Sequence, residues 1–201
     1  MSIPFRSFTE IVNNKNACYV INEMRKSNIN KPYEQLLRFF GKYSAKDDLK
    51  ISDFYGLANC VYGWMPLMLI PKKEFNLIKL KEEWKRARAG FRSELGIQEY
   101  KELPKLFNGS IVGLSKMLHF SHPEKFPIYD SNVYEILTGE KSQNYWKDHS
   151  SFNNYMKWLD DTNELKDLEN KIREVDNFKD DKKYSRYRLI EFFLFNLNKL
   201  L

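Results

Sequence analysis

Turn-forming residues are scarce in this sequence, which has 8 glycines and 7 prolines among 201 residues. A β-sheet needs a turn every few residues, whereas helices are joined by fewer and shorter loops. Apolar residues also recur at helical spacing through most of the chain. We therefore predict an all-α fold, a compact domain of about nine or ten helices without a convincing strand.

Local signals place several of these helices. Ser7 and Glu10 form a capping box at the start of the first helix, because each side chain satisfies a backbone amide of the other residue. The strongly apolar run 54–64 predicts the central buried helix. Three more helices are expected near the end of the chain, over residues 152–160, 164–175 and 186–201.

Length and charge limit the organisation and the partners of the chain. A chain of 201 residues fits one large domain or two lobes, 1–100 and 101–201, with a site between them. Lys and Arg outnumber Asp and Glu by 33 to 27, which gives a net charge of +6. This surplus fits a polyanionic partner without requiring one, and we expect that partner to be a nucleic acid.

The remaining class signals argue against membranes, metals and disulfides. No apolar run reaches membrane-spanning length, and the first residues lack a secretory pattern. Cys18 and Cys60 belong to no metal-spaced or redox-spaced pair, which predicts small core residues in a reducing compartment. His119 and His122 are three apart, but Pro123 interrupts the helix and no third ligand has suitable spacing. We expect a cytoplasmic, nucleoid-associated protein without a metal or other cofactor.

Two basic segments leave alternatives open. In the Lys- and Arg-rich run 72–92, Leu77, Leu80 and Trp84 form an apolar stripe, which fits either a solvated amphipathic helix or a phosphate-facing one. Arg186 and Arg188 open the apolar C-terminal run, where they either reach phosphates or pair with acidic neighbours.

The stretch 107–137 is the most informative part of the chain. It contains a tight turn at 108–110, a helix, a loop bounded by prolines, and Asp130 at the start of the next helix. The helix dipole and free backbone amides stabilise a carboxylate there, so Asp130 alone is typical of a plain N-cap. It directly follows the apolar residues 126–129, however, and we expect it at the mouth of a hydrophobic wall.

The order of these parts resembles the helix-hairpin-helix superfamily of DNA glycosylases, which includes the endonuclease III and 8-oxoguanine glycosylase families. In that superfamily a glycine-containing hairpin, a helix, a Gly/Pro-bearing loop and an essential aspartate follow in sequence. The aspartate lies in a context like V-D-[ST]-[HN]-[VI], and Tyr129-Asp130-Ser131-Asn132-Val133 is similar to it. The family hairpin usually reads L-P-G-[VI]-G, and its counterpart here is Leu106-Phe107-Asn108-Gly109-Ser110.

The resemblance implies a DNA glycosylase that flips a modified or damaged base out of the duplex, in repair or in defence against phage. Asp130 would stabilise the oxocarbenium-like charge on the sugar and orient the attacking water. Bifunctional members carry a Schiff-base lysine after the hairpin, and the nearest lysine, Lys116, lies closer to Asp130 than that family's spacing. We therefore expect a monofunctional hydrolase, in which Lys116 is either an amine nucleophile or an exposed lysine on an amphipathic helix.

A glycosylase also holds the extruded base and the DNA backbone. For the base, we expect stacking on Tyr129 and Phe126, with His119 and Trp64 in the same pocket. The residues expected to contact DNA are Gly109, Ser110, Ile111, Lys105, Lys125 and Asn132. The alternatives are a non-catalytic helical DNA-binding module and a protein–protein adaptor whose basic helix is only solvated.

Overall fold

The protein is built from α-helices, as the sequence predicts. The computed structural model describes residues 5–12, 14–26, 30–44, 46–63, 74–92, 96–141, 143–175, 178–179 and 184–200, and these ranges contain no strand. The α-helices within them are α1 Phe8–Ile11, α2 Asn14–Lys26, α3 Asn30–Ser44, α4 Ile51–Tyr62, α5 Leu77–Arg88, α6 Ile111–Ser121, α7 Ser131–Thr138, α8 His149–Asp161, α9 Glu164–Arg173 and α10 Arg186–Asn198. No helix in this described part of the chain is long and apolar enough to cross a membrane.

The chain divides into two compact units. Met1–Asn30 and Pro127–Leu201 together make one, which we call the terminal unit, and Lys31–Phe126 makes the other, the middle unit. The N-terminal segment groups with the last third of the chain because α2 packs against α10. The lobe boundary expected near residue 100 lies inside the middle unit.

Helix α10 is the centre of the terminal unit, where it contacts α2, α7 and α9. Its residues from 187 to 194 are all buried, including Arg188 and Glu191, whose charged groups form an ion pair. The Nε of Arg186 lies 3.7 Å from a carboxylate oxygen of Glu169. Both arginines therefore pair with acidic neighbours, which resolves the alternative that the sequence left open.

Helix α6 is buried along nearly its whole length in the middle unit. Every residue from 111 to 120 is buried, and α4 and α5 both pack against this helix. The helix predicted over 54–64 is α4, which ends at Tyr62 and buries Phe54, Leu57, Ala58 and Val61 along one face. Trp64 lies outside the described residues.

Three side chains are more exposed than the sequence predicts. Cys18 is exposed and Cys60 is half-buried, so neither is a core residue. Leu77 is 37% exposed, because it is the first residue of α5 and the packed face begins one turn later. The buried residues of α5 are Leu80, Glu83, Trp84 and Ala87.

Candidate functional site

Asp130 caps helix α7 in the terminal unit, as predicted. Its Oδ1 accepts a hydrogen bond from the backbone amide of Val133 at 3.1 Å. Asp130 is half-buried, and its second carboxylate oxygen, Oδ2, accepts no hydrogen bond from the described residues. The preceding residues, 126–129, are all buried. One carboxylate oxygen is thus held by the helix, and the other remains open to a further partner.

Two tyrosines are affected by the charge of Asp130. Tyr155 is completely buried, and burial raises its pKa, with the negative charges of Glu191 and Asp130 adding to the rise. Its hydroxyl has no hydrogen-bond partner among the described residues. Burial also raises the pKa of Tyr145, a hydrogen bond with Ser131 opposes the rise, and Asp130 adds to it. Both phenols therefore remain protonated at neutral pH.

The two aromatic residues predicted to stack on a base are interior residues. Tyr129 is completely buried, and its ring centroid lies 5.7 Å from that of Phe152 and 5.9 Å from that of Tyr155. Phe126 is completely buried as well. Burial raises the pKa of Tyr129. Neither ring presents an open face to an incoming base.

Tyr145 is a tyrosine near Asp130 that solvent reaches. It is half-buried at the start of the 3₁₀ helix Tyr145–Lys147, and its ring centroid lies 5.8 Å from that of Tyr134. The sequence around Tyr145 does not indicate a site residue, because it is a polar connection without helical periodicity. Its position depends on an interaction with Ser131, a residue distant in the sequence, and no local pattern indicates that interaction.

The hairpin of the middle unit turns as its sequence predicts. A 3₁₀ helix over Leu103–Phe107 is followed by Asn108 and Gly109, both in the left-handed region with φ of 54° and 83°. Ser110 then caps α6, since its hydroxyl accepts the amide of Gly113 at 3.5 Å. This is a helix–turn–helix connection with a glycine at the position of largest positive φ.

Two of the three hairpin amides expected to bind phosphate are already used. The amide of Gly109 donates to the carbonyl of Pro104 at 2.8 Å, and that of Ser110 donates to the carbonyl of Phe107 at 2.9 Å. The amide of Ile111 donates to none of the described residues. Ile111 is completely buried, so none of the three predicted amides is available to a phosphate in this structure.

Close packing inside the hairpin yields a first prediction. Gly113→Ala is expected to lower the free energy of unfolding by about 2 kcal/mol, because overpacking displaces buried atoms. A Cβ at this position would lie 2.4 Å from Cδ1 of Phe107, whose ring is buried. The midpoint of guanidinium unfolding, followed by circular dichroism, measures the change.

A matched control is Gly56→Ala in α4, where a Cβ would meet nothing within 4 Å. It is expected to raise stability by up to about 1 kcal/mol, because alanine favours helix. Equal stability of the two variants would contradict the packing argument.

Glu83 of α5 holds the start of the hairpin. Its carboxylate accepts the backbone amides of Lys101 at 2.7 Å, Glu102 at 2.9 and 3.0 Å, and Leu103 at 2.9 Å. Glu102 in turn accepts a hydrogen bond from Lys105 Nζ at 2.8 Å. Burial raises the pKa of Glu102, but the contacts with Lys105 and other groups outweigh it and lower the pKa below its usual value. Lys105, predicted to contact DNA, is therefore part of an ion pair.

The two polar residues predicted for the site on α6 are both buried. Lys116 is 8% exposed, so its interpretation as an exposed lysine is wrong, because α6 has no solvent-facing side there. His119 is completely buried, with Nδ1 at 2.6 Å from the carbonyl oxygen of Phe126 and Nε2 at 2.8 Å from the hydroxyl of Tyr33. Both ring nitrogens are occupied, which makes His119 a residue of the core.

Two further residues predicted to contact DNA are Asn132, which is half-buried, and Lys125, which is exposed. The Oδ1 of Asn132 accepts a hydrogen bond from Asn198 Nδ2 at 3.1 Å. Lys125 is exposed, and its carbonyl oxygen accepts a hydrogen bond from Arg92 at 2.9 Å. Of this pair, the Lys125 side chain is the one on the surface.

The predicted site residues are thus distributed over both units. Asp130, Tyr129 and Asn132 belong to the terminal unit, and the other described ones belong to the middle unit. No group of three potential metal ligands occurs in the ranges that the structure describes. In comparisons with known proteins, no family model, no curated protein sequence and no solved structure matches this chain.

Proposed function

We propose that the protein is a DNA glycosylase that hydrolyses the N-glycosidic bond of a modified or damaged base, with Asp130 as the essential carboxylate. The observation that carries the proposal is the state of this carboxylate. One of its oxygens is fixed by the first turn of α7, the other is open, and the residue is half-buried.

The chemistry of base excision fits this arrangement. Cleavage of the N-glycosidic bond builds positive, oxocarbenium-like charge on the sugar. A carboxylate that is already oriented and partly removed from water stabilises such charge without reorganising. With Oδ1 of Asp130 held by the amide of Val133, Oδ2 would face the sugar C1′ or orient the attacking water.

Tyr145 is the aromatic wall that we propose for the flipped base, in place of Tyr129. It is half-buried, and Ser131 and Asp130 are among the groups that shift its pKa. Stacking of a base on an aromatic side chain contributes about 1–3 kcal/mol. The Tyr145 ring would thus offset part of the cost of unstacking the target base.

The charge of the chain supports DNA as the partner. Its net charge of +6 fits attraction to a polyanion. In the middle unit, the exposed side chain of Lys125 suits a phosphate contact. Such a contact would hold the duplex without reading its sequence.

Incubation with a panel of duplexes tests the proposal. Each duplex carries one deaminated, alkylated, oxidised or hypermodified base, and a duplex of the same sequence without modification is the control. We expect release of free base, detected by mass spectrometry, from at least one modified duplex and none from the control. The abasic strand should stay intact until alkali is added, as expected for a monofunctional hydrolase. Folded protein that releases no base from any member of the panel would contradict the proposal.

A further inference from the structure

A second site of recognisable chemistry lies in the middle unit and is formed by residues that the proposed function does not use. It is a pocket of about 270 Å³ lined by residues of the segment 46–49, of α4 and of α5. Leu49, Phe54 and Trp84 supply its apolar part. This volume lies just below the range of sites for drug-sized ligands, about 300–1,000 Å³, so the pocket suits a small ligand.

The polar lining of this pocket is mainly cationic. Its basic residues are Lys46, Lys81, Lys85 and Arg88, and its acidic residues are Asp47 and Glu82. The Arg88 side chain is 16% exposed and lies 3.6 Å from the carboxylate of Asp47, which is 94% exposed. An ion pair with one fully solvated partner is weak, so it compensates the charge of Arg88 only in part. The lining is suited to an anion.

Two buried N–H groups of this lining lack an acceptor. Trp84 is 2% exposed, its ring packs near those of Phe40 and Phe54, and its Nε1 has no hydrogen-bond partner among the described residues. The Nε of Arg88 is equally without one in the described part of the chain. A buried indole N–H usually has a hydrogen-bond partner, because leaving it unpaired is unfavourable.

The two residues that carry these donors belong to one face of α5. Trp84 and Arg88 are four residues apart in one helix, which places them one turn apart on the same face. Lys81 precedes Trp84 by three residues and lies on that face as well. A phosphate seated in the pocket would meet the charge of Lys81 on this face. It would reach the two unpaired donors after a small shift of the Trp84 and Arg88 side chains, since neither N–H is accessible in the structure as it stands.

We propose that this pocket binds a phosphate group carrying a small substituent, with its oxygens accepting from Trp84 Nε1 and Arg88 Nε. Lys81 and Lys85 neutralise the charge of the phosphate, and the apolar side of the pocket contacts the substituent. Such a phosphate belongs either to a small phosphorylated metabolite or to the backbone of a nucleic acid. The site does not include Asp130, so the test of this proposal is independent of the test of the proposed function.

Titration by NMR tests this proposal on the indole N–H signal of Trp84, assigned through its contacts with the Phe54 ring. The probes are inorganic phosphate, ribose 5-phosphate and a short unmodified duplex, each at a constant ionic strength set with sodium chloride. We expect the signal to move downfield with ribose 5-phosphate and with phosphate, as the N–H gains an acceptor. A shift with the duplex alone would support the phosphate site and assign its source to nucleic acid.

A pair of double variants separates the pocket from general surface charge. Lys81→Gln with Lys85→Gln should weaken phosphate binding by about tenfold, because charge-assisted hydrogen bonds and local attraction are lost. Lys79→Gln with Lys101→Gln removes the same charge from exposed positions that do not line the pocket, and it should bind as the wild type does. A Trp84 signal unmoved by every probe, or equal weakening in both double variants, would overturn the proposal.

Discussion

Asp130→Asn is expected to lower the rate of base release by about a thousandfold, the loss typical of removing a group that stabilises transition-state charge. The substitution removes the negative charge but keeps the shape of the side chain. Asparagine is also as good an N-cap as aspartate, so the hydrogen bond from the Val133 amide and helix α7 should persist. Single-turnover kinetics on the best duplex of the panel measures the loss.

Affinity for DNA should survive this change, which separates catalysis from binding. The substitution removes one negative charge from the protein, so duplex affinity at fixed salt should stay the same or rise slightly. Asp161→Asn at the exposed end of α8 is the matched control, with the same change of charge. If the Asp130 variant released base at the wild-type rate, Asp130 would have no catalytic role and would act only as the N-cap of α7. Duplex binding by a wild-type protein that releases no base would favour the DNA-binding module instead.

Local sequence signals predicted a large part of the fold and one part of the site. The capping box of Ser7 and Glu10 is present, and the last three helices lie where their apolar spacing placed them. Asp130 caps α7 because a side-chain oxygen before an apolar helical run is sufficient for that structure. Each of these features is determined by residues within a few positions of one another.

The remaining parts depend on contacts between distant residues. Periodicity assigns a lysine to the solvent side of a helix, yet Lys116 is buried because α6 is covered by neighbours on all sides. His119 is accommodated in the core by the Tyr33 hydroxyl, which is 86 residues away in sequence. Tyr155 lies in an ordinary apolar stripe of α8, and nothing near it in the sequence indicates that Asp130 affects it.

The ion pair of Glu191 with Arg188 could have been predicted from the local sequence. Glu191 is an acidic residue in an otherwise apolar run, three positions after Arg188. Side chains three apart on a helix face the same way, and a buried charge requires a partner. A charged pair at this spacing inside an apolar run therefore predicts a buried ion pair more strongly than a phosphate contact.

Glu83→Ala is expected to lower the free energy of unfolding by about 4 kcal/mol, although Glu83 lies in a Lys-rich helix that periodicity describes as solvated. Its carboxylate is the acceptor for three consecutive amides, at residues 101–103. The hydrogen bonds from Glu102 and Leu103 are buried, so truncation leaves those amides without an acceptor and without water. Loss of these bonds would also release the segment that leads into the hairpin.

The neighbouring substitution Glu82→Ala is the matched control for this effect. Glu82 is exposed on the same helix, so its removal should change stability by no more than about 0.5 kcal/mol. Guanidinium unfolding of both variants, with the slope of the transition held in common, gives the difference directly. A third variant, Glu83→Gln, keeps one acceptor oxygen and should lie between the other two. If all three unfold at the wild-type midpoint, the carboxylate of Glu83 does not hold the hairpin, and the turn is maintained by its own backbone hydrogen bonds and by the packing of Phe107 on Gly113.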